Sequence, residues 1–120
     1  MFLMENGLSS NRNLDLRMVM VQFGFDFSLM GSIYIYEMLV ESLSNPSVIR
    51  NENIPTMTML ADKHNIKIKT FNRDIRWSID KAYKNGMLKY VPYFEELTSS
   101  PPTKQVLSWL FNYLIMQNAT

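Results

Sequence analysis

A short stretch of the sequence is rich in the side chains that proteins use to bind DNA. The candidates for reading bases in the major groove are Asn72, Arg73 and Arg76. Arginine forms paired hydrogen bonds with guanine, and asparagine does so with adenine. The flanking candidates for contacts to backbone phosphates are Lys67, Lys69, Thr70 and Lys84. These residue types at this spacing indicate a surface for double-stranded DNA.

A helix over 68–85 would bring these candidates to one face. At 100° per residue, an apolar arc would contain Ile68, Phe71, Ile75, Ser78, Ile79 and Ala82. The polar arc far from it would contain Lys69, Asn72, Arg73, Arg76 and Asp80. Trp77 falls at the edge of the polar arc, where we expect packing on a neighbouring helix rather than contact with a sugar-phosphate backbone.

The net charge of +1 conceals a basic segment in the middle of the chain. Residues 63–89 carry eight Lys and Arg against two Asp, whereas residues 1–62 carry three Lys and Arg against seven Asp and Glu. A basic helix face is most often just a solvated face, but the position of this one after a short turn favours a DNA-binding function.

The spacing of apolar residues predicts an all-α protein of about six helices with a central helix-turn-helix. The predicted helices cover about 13–24, 28–44, 56–64, 68–85 and 104–117, with a further short turn near 93–97. Ser28 and Thr103 are expected N-caps, Asn65 and Gly86 are expected helix ends, and 45–47 is an expected break. Residues 1–12 should form a flexible N-terminus, and 13–118 one DNA-binding domain.

The apolar periodicity also predicts which side chain faces are buried. The expected inner face of the first helix includes Leu14, Met18 and Val21. That of the second comprises Ile33, Tyr36, Leu39, Val40 and Leu43. That of the last comprises Val106, Leu107, Leu110, Phe111 and Leu114.

Several motifs in order resemble one known family. They are Gly31-Ser32-Ile33-Tyr34-Ile35-Tyr36-Glu37, Leu60-Ala61-Asp62-Lys63-His64-Asn65 and Phe71-Asn72-Arg73-Asp74-Ile75-Arg76. Over roughly 14–116 the chain resembles the C-terminal effector domain of the stage-zero sporulation protein A family of response regulators. The resemblance implies a six-helix transcription regulator that binds the major groove and can pair head to tail on tandem sites.

The resemblance also has departures that bear on DNA sequence preference. Family arginines fall at Arg73 and Arg76, but a further family arginine is replaced by Thr70 and a family glutamate by Asn72. Because asparagine prefers adenine where glutamate accepts from cytosine, the resemblance implies an altered operator. The family's phosphorylated receiver domain is not in the sequence, so the sequence is either an isolated part of a longer protein or a free-standing relative. In the second case, control through expression level or a partner is expected.

Other classes of function receive little support from the residues. The chain has no cysteine and one histidine, His64, which excludes thiolate chemistry and most zinc sites. The acidic pairs Glu37 with Glu41 and Glu95 with Glu96 lack partner groups, so we expect no enzyme, metal, cofactor or small-molecule substrate. No apolar run approaches the roughly 20 residues of a membrane span, and a cytoplasmic protein is expected.

A second function remains open, in which the domain binds another protein. An apolar surface on the last helix would serve to pair with, or antagonise, a full-length relative. Its candidates are Trp109, Phe111, Tyr113, Ile115 and Met116, of which about half are expected to be core residues instead.

Overall fold

The computed structural model describes residues 16–50, 54–91, 94, 97 and 99–119. Residues 16–22 are helical, and they are followed by α1 (Met30–Ser44), α2 (Ser47–Arg50), α3 (Ile54–Lys63), α4 (Ile68–Asn85) and α5 (Thr103–Ala119). A 3-10 turn covers Leu88–Tyr90. The described residues contain no strand, so the all-α prediction is confirmed.

The count of helices differs slightly from the prediction. Five α-helices have both ends within the described residues, whereas about six were expected. The predicted flexible terminus at 1–12 lies outside the described residues. Within the described part of the chain, no helix is long and apolar enough to cross a membrane.

Helices α1 and α4 pack closely against each other. Gly31, in the first turn of α1, lies so near α4 that a Cβ there would overlap the carbonyl oxygen of Asp74 and the Oγ of Ser78. Stacking of the Tyr34 and Phe71 rings, with centroids 4.7 Å apart, continues this contact. The packing fixes α1 against the buried side of α4 and leaves the other side of α4 outward.

The end of α4 is held by a close approach of two glycines. A Cβ on Gly24, which has a φ of +96°, would lie 2.5 Å from the Cα of Gly86. α4 ends at Asn85 as predicted, but Gly86 has a φ of −119° rather than a left-handed conformation. The glycine is therefore required by the backbone contact and not by the helix-terminating geometry that was expected.

The predicted inner faces are confirmed for the later helices. Phe71, Ile75, Ser78, Ile79 and Ala82 of α4 are buried, although Ile68 is 38% exposed. All five expected side chains of α5 are also buried. The apolar stripe of α4 is regular and defines its core face, whereas α5 also carries exposed apolar side chains such as Ile115 and Met116.

The inner face expected for the first helical stretch was wrong, and that of α1 was right in part. In residues 16–22 the buried side chains are Leu16, Val19 and Met20, whereas Met18 and Val21 are 61% and 59% exposed. In α1 the expected Leu39 is buried, and Tyr36, Val40 and Leu43 pack partly buried against the core. The other fully covered large side chains of α1 are Tyr34, Ile35 and Met38, so its core face is wider than expected.

One local prediction fails and another is confirmed, and local side-chain bonds account for both. Ser28 does not cap α1: its hydroxyl and backbone N–H donate to Asp26 Oδ1 at 2.6 and 2.8 Å, and the N-cap position is Leu29. The expected break is present: α1 ends at Ser44, and Asn45 Oδ1 accepts from the hydroxyl and N–H of Ser47, where α2 begins. Such local side-chain bonds compete with regular caps.

Candidate nucleic-acid interface

The turn between α3 and α4 has a defined helix-ending geometry. Asn65 has a φ of +58°, as expected for a residue that tolerates the left-handed region. The N–H of Asn65 donates to Asp62 and that of Ile66 donates to Ala61, both at 3.0 Å. This pair of bonds is a Schellman motif, which ends α3 and turns the chain sharply into α4.

A carboxylate from α1 fixes the end of α3. Glu37 accepts from Lys63 Nζ at 2.6 Å, and its other oxygen lies 2.5 Å from His64 Nε2. Burial alone would raise the pKa of Glu37, but the bonds from Lys63 and His64 outweigh it and hold the pKa below its ordinary value. The ring of His64 also lies 4.8 Å from that of Tyr34. Sequence reasoning treated Glu37 and His64 separately, because only the tertiary fold brings them together.

The N-terminal half of α4 presents the predicted base-reading residues Asn72 and Arg73 to solvent. The side chain of Arg73 is 71% exposed, and its nearest carboxylate is that of Asp74, whose Oδ1 lies 3.7 Å from Nε. A contact of this length beside open solvent leaves the guanidinium available to a ligand. Asn72 is exposed and has no hydrogen-bond partner within the described residues.

The predicted phosphate contacts surround this pair. Lys67 and Lys69 are exposed at the start of α4, and Lys84 is exposed near its end. None of these three lysines forms an ion pair within the part of the chain that the structure describes. Thr70 is partly buried between them and the core. The arrangement gives an exposed cationic surface along one side of α4, with Asp74 beside Arg73 and Asp80 near Lys84.

Arg76, the third predicted base contact, is bonded within the protein. Its Nε and Nη2 donate to Asp80 Oδ1 at 3.2 and 3.1 Å, Nη2 also donates to Ser100 Oγ at 2.8 Å, and Nη1 to Thr103 Oγ1 at 3.4 Å. Ser100 donates in turn to Asp80. These contacts use four of the five guanidinium N–H groups and join α4 to the beginning of α5.

Asp80 is the carboxylate that accepts from both Arg76 and Ser100 in this cluster. Burial would raise the pKa of Asp80, but hydrogen bonding from Ser100 and the positive charge of Arg76 lower it below its ordinary value. The predicted polar arc of α4 thus has an exposed part and a part that is bonded within the protein. Lys69, Asn72 and Arg73 are exposed, while Arg76 and Asp80 are half-buried and paired with each other.

Trp77 contradicts the expectation that it packs on a neighbouring helix. Its side chain is 65% exposed, one helical turn after Arg73. The indole has no ring partner among the described residues. Because it is exposed beside Arg73, we include Trp77 in the candidate interface.

The described residues contain no metal-binding cluster. No group of three or more His, Asp and Glu side chains there is arranged to hold a metal ion. Comparison with models of known protein families and with curated proteins finds no match to this chain.

Proposed function

We propose that this protein is a sequence-specific regulator of transcription that binds double-stranded DNA through α3 and α4. The two helices would act as a helix-turn-helix, with α4 in the major groove and α3 across the backbone. The observation that carries the proposal is the exposure of Lys69, Asn72 and Arg73 on the first turns of α4, directly after the turn. The first turns are the part of a recognition helix that reaches bases.

The residues would divide into base-reading and phosphate-binding roles. Arg73 would pair with guanine and Asn72 with adenine. Lys67, Lys69, Thr70 and Lys84 would contact phosphates and set the position of the helix. Arg76 keeps one guanidinium N–H outside its cluster, which suits a single hydrogen bond to DNA rather than a bidentate contact. Resemblance to the sporulation regulators supports the same orientation and a paired arrangement on tandem sites.

The first test is selection of bound sites from random duplex DNA, followed by anisotropy titrations of the selected site. Arg73→Ala should weaken binding by about 1–3 kcal/mol and relax the preference at one base position. Failure of the wild-type protein to bind any selected duplex at low salt would contradict the proposal.

The salt dependence of the same titrations tests the phosphate contacts. The logarithm of affinity should fall with the logarithm of salt concentration by about 0.9 for each neutralised phosphate. Lys69→Ala should reduce this slope by about 1. Lys89→Ala is the matched control, because it removes the same charge from the 3-10 turn, where Lys89 lies over the ring of Tyr90. An equal change in both variants would contradict a defined interface on α4.

A second candidate function, binding to a partner protein, is favoured by an apolar groove away from α4's basic side. Met87 and Tyr90 at its rim are 54% and 59% exposed. It is lined by Gln22, Phe23, Met87, Tyr90, Val91, Trp109 and Tyr113. Of the surface predicted on the last helix, Phe111 is buried, whereas Ile115 and Met116 are exposed. Retardation of DNA by the purified protein alone would favour the first function over this one.

A further inference from the structure

Trp77 occupies a position on α4 that packing within the protein does not explain. Its indole is 65% exposed and makes no ring contact or hydrogen bond within the described residues. It follows Lys69 and Arg73 at intervals of four residues, so the three side chains form one line along the helix. An exposed indole offers an apolar ring and a polar N–H, and it continues the line of Lys69 and Arg73, which suits a ligand with apolar and anionic parts.

Trp77 lines two open depressions on the surface. One is lined also by residues including Leu29, Met30 and Asp74. The other is lined also by Asp80, Lys81, Lys84 and Asn85. Lys84 is exposed two turns after Trp77.

The position along α4 indicates what the indole would meet. Trp77 lies four residues beyond Arg73, which is about 6 Å farther along the helix axis. If the first turns of α4 reach the bases, this next part of the helix is where the helix leaves the groove and passes the backbone. Deoxyribose offers an apolar surface for the ring, and a phosphate oxygen can accept from the indole N–H.

We propose that Trp77 contacts the sugar-phosphate backbone of duplex DNA, with the ring on a deoxyribose and Nε1–H directed to a phosphate. The inference rests on the proposed function and adds an uncharged anchor to its cationic contacts. Such an anchor contributes affinity that does not depend on counterion release, unlike each lysine contact.

The test combines affinity, salt dependence and fluorescence on the full chain with a selected duplex. Trp77→Ala should weaken binding about three- to tenfold while the salt slope and the melting temperature stay as in the wild type, because the lost group is uncharged and exposed. Trp77→Phe keeps a ring but removes the N–H donor, so its affinity should lie between the two.

Fluorescence locates the contact directly, because the chain has two tryptophans. In a Trp109→Phe variant, emission comes from Trp77 alone, and added duplex should quench or shift it. Trp109 is the matched control: it packs on Phe23 and Tyr113, so in Trp77→Phe its emission should be unchanged by DNA.

Separate outcomes contradict the two proposals. If the wild-type protein binds no duplex, the proposed function is wrong. Wild-type protein that binds duplex while Trp77→Ala binds equally well, with no response of Trp77 emission, overturns this inference alone. A Trp77 response to single-stranded but not to duplex DNA also overturns it, because that result indicates base stacking.

Discussion

Arg73 and Arg76 lie three residues apart on α4, yet their surroundings give them different roles. The Arg73 side chain is 71% exposed and has only a long contact to Asp74. The Arg76 side chain is 35% exposed and is bonded to Asp80, Ser100 and Thr103. Arg73 is therefore available to a ligand, whereas Arg76 connects α4 to the segment that begins α5.

Replacement of each arginine by alanine should separate these roles in a stability measurement. Arg76→Ala leaves the half-buried Asp80 without its cationic partner and should lower the free energy of unfolding by roughly 1 kcal/mol. Arg73→Ala should change it by less than about 0.5 kcal/mol. Urea titrations followed by circular dichroism would measure both. Equal destabilisation by the two substitutions would contradict the assignment.

Gly31 shows how one position in a helix sets the relation between two elements. It places the first turn of α1 against the backbone of α4 at Asp74, closer than any side chain permits. The same contact directs the Asn72 and Arg73 side of α4 toward solvent. A glycine on α1 thus determines which side of α4 faces solvent.

Gly31→Ala should destabilise the protein by about 1–3 kcal/mol, because the added methyl group overlaps α4. This cost should exceed the gain of up to about 1 kcal/mol that alanine brings to a helix. Ser32→Ala is a neighbouring control of the same helix turn: the Oγ of Ser32 is buried without a hydrogen-bond partner among the described residues, so its loss should change little. Thermal unfolding of both variants would show whether Gly31 is the more sensitive position.

At the scale of the whole molecule, three carboxylates connect separate parts of the fold. Asp26 joins the turn before α1 to Lys81 of α4, Glu37 joins α1 to the end of α3, and Asp80 joins α4 to Ser100. Hydrogen bonds from Ser28 and Lys81 lower the pKa of Asp26 to about 2. The pKa values of Glu37 and Asp80 are also lowered. Each carboxylate therefore stabilises the folded chain in its ionised form.

Acid should consequently destabilise the protein. Because the folded pKa values lie below the unfolded ones, the unfolded chain binds more protons in acid, and stability present above about pH 4.5 is lost as the pH falls further. Melting temperatures measured from pH 7 to pH 3 should decline most below that point. Glu37→Gln should weaken the dependence, whereas Glu41→Gln, one turn later on the same helix, should preserve it. A melting temperature independent of pH in this range would contradict the role of these contacts.

Much of the helical organisation could be predicted because local signals were strong. The run from Ile68 to Asn85 carries a regular apolar stripe, and its bounds were predicted correctly. Asn65 marked the end of α3 because few other residues adopt a positive φ at low cost. α1 was harder, since its apolar residues occur on several sides, and its expected face left out the buried Tyr34, Ile35 and Met38. Ser28 was misread as a cap because its bond to Asp26 competes with capping.

By itself, the sequence determined the all-α class, the helix over 68–85 and the concentration of positive charge there, since all three depend on residue type and local spacing. Tertiary structure decided which of those charges are available. It paired Arg76 with Asp80 and Ser100, left Arg73 exposed and held Trp77 in solvent. The physical reason is that a helix wheel gives the direction of a side chain but not its neighbours, which come from elements distant in the chain.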